Sequence, residues 1–295
     1  MSWVFFSVAA AFLWAIANVV DKFVLSKWGV KPIVIIFLNC ILGLISALWI
    51  FWFLGWGELT KAQLLLALVA GIAYVAIILF YLHAVSLSEI SRVVPLFYFS
   101  PLFIAILAAI FLGEIFAPVK YLGIALLVIG AMLISLRDFS SFHSSKAFYC
   151  MVLSALALAT AEVIAKYLLS FTDYWHVFAY LRMAAFLAIL PVAYLCRADL
   201  SAFWKSVGAV KKTVIIGINE FSTLVGVLFI TVAAGLGFIT LVNALAAVQP
   251  FFVLLFTVLI GLFLPRIFVE ELGRRTILLK FIAILCMFIG GLIVS

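Results

Sequence analysis

The sequence predicts an all-α polytopic membrane protein, with ten transmembrane helices arranged as two inverted five-helix repeats. Three observations carry this reading. Of the 295 residues, 69% are hydrophobic and 10% are charged, and the mean hydropathy is +1.44, outside the range of soluble domains. Ten apolar stretches follow one another, each of about 20 residues or more, enough at ~1.5 Å per residue to cross a ~30 Å hydrocarbon layer. The chain is also written twice. ANVVDKFVLS (17–26) lies over AEVIAKYLLS (161–170), with Ala17/Ala161, Val19/Val163, Lys22/Lys166, Leu25/Leu169 and Ser26/Ser170 identical.

The stretches run over residues 2–25, 32–54, 62–83, 91–112, 118–136, 147–170, 174–196, 212–234, 238–263 and 276–295. The first is too long for a signal-peptide core, lacks a basic flank before it and has a counterpart at 147–170, so it is expected to remain as a helix. The second aligns with the seventh through VIIFLN (34–39) over VFAYLR (177–182). The fourth aligns with the ninth through AVSLSEISRVVPLFYFSPLF (84–103) over AAGLGFITLVNALAAVQPFF (233–252), and the fifth with the tenth through YLGIALLVIGAMLIS (121–135) over FIAILCMFIGGLIVS (281–295). All read as helices, because the apolar runs are continuous where barrel strands would alternate over about ten residues. Residues 1–137 and 146–295 are the expected repeats. Each holds five crossings, so the second enters the bilayer from the opposite side, and a binding site is expected where the halves meet.

The connections are too short for a soluble catalytic or nucleic-acid-binding module. Cys40, Cys150, Cys196 and Cys286 are dispersed without CxxC spacing, and His83, His143 and His176 form no ligand pair, so neither a metal nor another cofactor is expected. HExxH, GxSxG and an aspartyl pair are absent, which argues against a membrane-embedded enzyme. The net charge of +7 is topological. Fourteen of the eighteen Lys and Arg residues lie in or beside the odd-numbered connections, three (Lys61, Lys120 and Lys166) lie beside the even ones, and Arg182 lies within a helix. By the positive-inside rule the odd connections are cytoplasmic and both termini lie outside, in a multi-pass protein of the plasma (cytoplasmic or inner) membrane.

Taken with the repeat, three local patterns resemble the drug/metabolite transporter superfamily and, within it, the ten-helix EamA-type transporters. They are Trp14 within FLWAIANVVDK (12–22), SEISRVVPLFYFSPLF (88–103) and the Leu112-Gly113-Glu114 that closes the fourth stretch. The resemblance covers the whole chain. It implies a ten-helix transporter that exports or exchanges small organic solutes, such as amino acids, nucleobases or drugs, from a central cavity by alternating access. Cytoplasmic termini are expected in many such relatives, and this chain departs from that pattern because no basic residue precedes Lys22. The alternative function is a flippase or carrier for a lipid-linked substrate. The expected partners are a small-molecule solute and membrane lipids, with no nucleic acid, and a homodimer is left open.

Candidate site residues follow from the cost of polar groups at membrane depth, ~2.5 to 3.5 kcal/mol for a charge at a helix centre, which demands a partner or a cavity. Glu162 and Arg182 lie at matching depths on the antiparallel sixth and seventh stretches and are expected to pair, either to fix those helices or to line the cavity. Their repeat counterparts are Asn18 and Asn39. Asn219 and Glu220 sit near the middle of the eighth stretch. Glu220, with no basic partner at matching depth in the neighbouring stretches, is the candidate for proton coupling. Pro95, Pro101 and Pro250 interrupt the fourth and ninth stretches, with Tyr98, Asn243 and Gln249 close by. Aligned interruptions of this kind point to a binding site, although a packing kink explains them equally. Trp14, Tyr81 and Tyr98 are candidate solute walls. Lys22 and Lys166 are expected to snorkel from helix ends, and Gly130, Gly290 and Gly291 to allow close helix packing.

Overall fold

The computed structural model describes residues 2–87, 94–135, 146–263 and 274–295. Among them the chain is helical throughout: α1 (Ser2–Trp28), α2 (Pro32–Leu54), α3 (Lys61–Leu87), a 3₁₀ turn (Val94–Phe99), α4 (Ser100–Phe111), α5 (Pro118–Ser135), α6 (Lys146–Leu168), α7 (Tyr174–Leu195), a short α8 (Arg197–Trp204), α9 (Ala209–Leu236), α10 (Ile239–Ala246), α11 (Gln249–Phe263) and α12 (Arg274–Val294). Among the described residues, seven spans are long and apolar enough to cross a membrane: those within α1, α2, α3, α6, α7 and α9, and Ile239–Ile260, which combines α10 with α11. Three shorter apolar helices, Leu96–Phe111, Pro118–Leu133 and Leu279–Val294, occupy the fourth, fifth and tenth stretches. The protein is therefore all-helical and polytopic. Trp52, Ile110, Phe281 and Phe288 point outward; in a bilayer that outer face meets lipid rather than water.

Local chemistry sets the boundaries. Pro32 opens α2, where its missing N–H costs nothing. Asp173 caps α7 by accepting from the N–H of Trp175 (2.8 Å) and of His176 (3.2 Å). The His176 ring bridges Asp173 (2.6 Å) and the Gly55 carbonyl (3.2 Å), tying the α2–α3 connection to the start of α7. Both proline-bearing stretches are broken at aligned points. Pro101 is the second residue of α4, after the 3₁₀ turn, and Pro250 is the second residue of α11, after α10 ends at Ala246. Pro95 is the second residue of that 3₁₀ turn.

The main interfaces join one half of the chain to the other. α1 packs on α9, α2 on α7, α3 on α6 and α7, α4 on α6, and α5 on α12. The α5–α12 contact is made by glycine: a Cβ at Gly290 would stand 2.7 Å from the Gly123 carbonyl oxygen, and one at Gly130 would stand 2.8 Å from that of Ala283. This is the close approach expected of Gly130 and Gly290, and no other residue allows it.

Candidate functional site

A continuous chain of polar side chains crosses the middle of the bundle, where α1, α9, α2, α3 and α7 converge. At one end, Asn219 Nδ2 on α9 donates to Asp21 Oδ1 on α1 (2.8 Å) and lies 3.5 Å from both Glu220 Oε1 and the Ala17 carbonyl. Glu220 Oε2 accepts from Asn39 Nδ2 on α2 at 2.7 Å. Asn39 Oδ1 in turn accepts from the Tyr74 hydroxyl on α3 at 3.0 Å. The Tyr74 ring carries the guanidinium of Arg182 on α7, with Cζ 4.5 Å from the ring centroid, while Phe178 stands at 5.9 Å. Asn39, Arg182, Asn219 and Glu220 are all buried. The chain thus has two acids at one end and one cation at the other, joined by neutral amides and a phenol.

Each link joins a donor to an acceptor. Asn39 uses both ends of its amide, Nδ2 donating to Glu220 and Oδ1 accepting from Tyr74, while Asn219 spends its Nδ2 on Asp21 and the nearby Glu220 and Ala17 oxygens. Arg182 Nε is buried without a hydrogen-bond partner, and the Tyr74 ring lies against the guanidinium.

The other expected site residues lie around this chain. Glu162 on α6 is half-buried and takes Asn243 on α10 as its side-chain partner; Asn243 Nδ2 also reaches the Ile239 carbonyl at 3.2 Å. Glu162 and Arg182 make no ion pair, because Arg182 faces α2 and α3 while Glu162 faces α10, and only the long-range Coulombic field links them. Trp14 lies in the α1–α9 interface, donating to the Thr223 carbonyl at 3.3 Å and covering Gly226. Asn18 is exposed on α1 and Gln249 is half-buried at the start of α11. Tyr81 packs at the α3–α6 interface beside Ala84 and Met151, and Tyr98 packs against the cluster formed by α5, α10 and α12. Glu220 is not isolated, since Asn39, Asn219 and Asp21 surround it. Asp21 and Tyr74 were not singled out from sequence as members of the site.

A second buried acid lies at one end of the bundle. Gly113 takes φ +69° and closes α4, its successor's N–H reaching back to the Ala108 carbonyl at 3.2 Å. This aims the Glu114 carboxylate at the first turn of α10, where Oε1 accepts from Ile239 N–H (2.9 Å) and Oε2 from Thr240 N–H (3.0 Å). Lys166 does not snorkel. Its Nζ donates to the Ala234 and Gly237 carbonyls (2.6 and 2.7 Å) at the end of α9.

The first half of the chain is similar to a known family. Residues 1–136 match the EamA-like transporter family. That bears out, over this segment, the family read from the sequence, and the chain is a multi-pass integral membrane protein consistent with a transporter. One solved crystal structure, described only as that of a protein, superposes with a TM-score of 0.73 at 19% identity, covering 100% of this chain and 96% of its own. That likeness shows the fold alone. No curated protein sequence matches the chain.

Proposed function

We propose that this EamA-like protein moves small organic solutes across the plasma membrane by alternating access, as an exporter or exchanger, with the Asp21–Asn219–Glu220–Asn39–Tyr74 chain as its coupling element. The observation that carries the reading is the 2.7 Å bond between Asn39 and Glu220, which joins the two halves of the molecule through charged and amide groups where an apolar contact would have been cheaper. Two acids linked through one amide form a site for an exchangeable proton, and helices that rock against each other must remake these bonds. The two-repeat division at residues 1–137 and 146–295 is supported by the pairing of helices across it. Asn39 and Arg182, equated by the repeat alignment, both touch Tyr74 at the α2–α7 joint. Glu162 on α6, Asn243 on α10 and Gln249 at the start of α11 are candidate solute contacts.

The test is flux in proteoliposomes. Glu220→Gln imitates the protonated acid, so it should abolish uphill movement driven by a pH gradient while sparing solute-for-solute counterflow. Wild-type uphill rates in Glu220→Gln would remove the acid from the coupling step.

A further inference from the structure

The Leu112-Gly113-Glu114 ending of α4 is not needed for the coupling chain, yet its acid is buried and bonded across the molecule. Glu114 belongs to the first half, and both backbone N–H groups it holds belong to α10 of the second. Lys166 holds the other side of the same turn through the last carbonyls of α9. A carboxylate at a helix N-terminus and an ammonium at a helix C-terminus each face the favourable end of a helix dipole. Together they grip the α9–α10 turn at Gly237 and Phe238. Just inside the grip, Ala108, Ala159, Ala234 and Ile239 form a closely packed plug. Just outside it is a cavity of about 350 Å³ lined by Leu112, Glu114, Lys166, Ser170, Gly237 and Phe238. All of these tips belong to even-numbered connections, so they gather at one end of the bundle.

We propose that Glu114 and Lys166 are positioning residues that latch the transport path shut on the side of the even connections, and that opening on that side requires Glu114 to leave α10. This rests on the alternating-access reading.

The experiment places a cysteine behind the latch. Ala108→Cys, in a full-length protein whose four native cysteines are replaced, is reacted in membrane vesicles with an impermeant maleimide from the even-connection side. With the latch intact, labelling should be slow. Adding Glu114→Gln or Lys166→Met should speed it about tenfold, the change that ~1.4 kcal/mol of lost closed-state stability produces. Ser201→Cys, on the opposite side, should be unaffected. An unchanged rate in both variants, with melting temperatures near that of the parent, would overturn the latch. If those variants do not fold, Glu114→Cys with Thr240→Cys replaces the grip by a disulfide. Oxidation should stop solute counterflow and reductant should restore it, whereas equal flux in both states would also overturn the proposal. Labelling is read with no solute present, so a protein that gates as described but moves nothing would sink the transport reading and leave the latch standing.

Discussion

Asn39 is the residue on which two buried groups depend, and replacing it with leucine should show that in a defined way. In Asn39→Leu, Glu220 loses its 2.7 Å donor and keeps only the 3.5 Å contact with Asn219, while the Tyr74 hydroxyl loses its acceptor. A hydrogen bond to a charged group contributes ~1.5 to 3 kcal/mol, and stranding a buried hydroxyl costs ~1 to 3 kcal/mol, so the loss should be ~3 to 5 kcal/mol. Glu220→Leu strands only Asn39 Nδ2, because Asn219 retains Asp21 at 2.8 Å, and should cost less. The double variant should recover ~1.5 to 3 kcal/mol relative to the sum of the single losses. Adding Tyr74→Phe to Asn39→Leu should recover a further part, since it removes the orphaned hydroxyl and keeps the ring beneath Arg182. The assay is reversible denaturant unfolding in mixed micelles, with all variants at one pH. Strict additivity of Asn39→Leu and Glu220→Leu would refute the contact, and Glu220→Leu costing more than Asn39→Leu would refute the argument about stranded groups.

Three further outcomes follow from other parts of the molecule. Gly290→Leu should lower stability by ~1 to 3 kcal/mol through overpacking against Gly123 and Leu127, read as a fall in melting temperature, with a neutral result excluding the tight α5–α12 contact. Burial pushes the Asp173 carboxyl up, but hydrogen bonds from the His176 ring and from the His176 and Trp175 N–H groups outweigh this and hold it below its ordinary value. The stability it gives the start of α7 is therefore full above the unfolded value of ~3.9 and is lost as pH falls through the lower folded value. Hydrogen-exchange protection factors in the first turn of α7, which remove the intrinsic pH dependence of exchange, should fall in acid and hold between pH 6 and 8, and Asp173→Ala should remove ~1 kcal/mol at neutral pH. Impermeant maleimide should label Ser295→Cys and not Ser201→Cys in intact cells, the reverse pattern placing the odd connections outside.

The helical stretches and the paired breaks before Pro101 and Pro250 were legible because apolarity and proline act along the chain, in one dimension. Asn39, Asn219 and Glu220 could also be named, since each is polar where the neighbouring positions are apolar. Their meeting could not be foreseen. Sequence gives a residue's depth along its helix but not the direction it faces, which is why Glu162 and Arg182 match in depth and yet turn to different neighbours. Asp21 was obscured by the adjacent Lys22 near a helix end, and Tyr74 by the many aromatic residues that only pack. Glu114 was visible as part of a motif, but its partners lie more than a hundred residues away and are backbone groups, which carry no signature in sequence.

α9 ties the two charged features together. Asn219 and Glu220 lie near its middle, and Ala234 and Gly237, held by Lys166, form its end, ~25 Å further on at ~1.5 Å per residue. The helix is continuous between them, so a rotation or shift that remakes the Glu220 bond with Asn39 is transmitted to the turn gripped by Lys166 and Glu114. If both ends respond to the same motion, Glu220→Gln should change the labelling rate of Ala108→Cys at fixed pH, although neither residue touches the other. A rate indifferent to Glu220 would mean that the latch and the acid pair work independently.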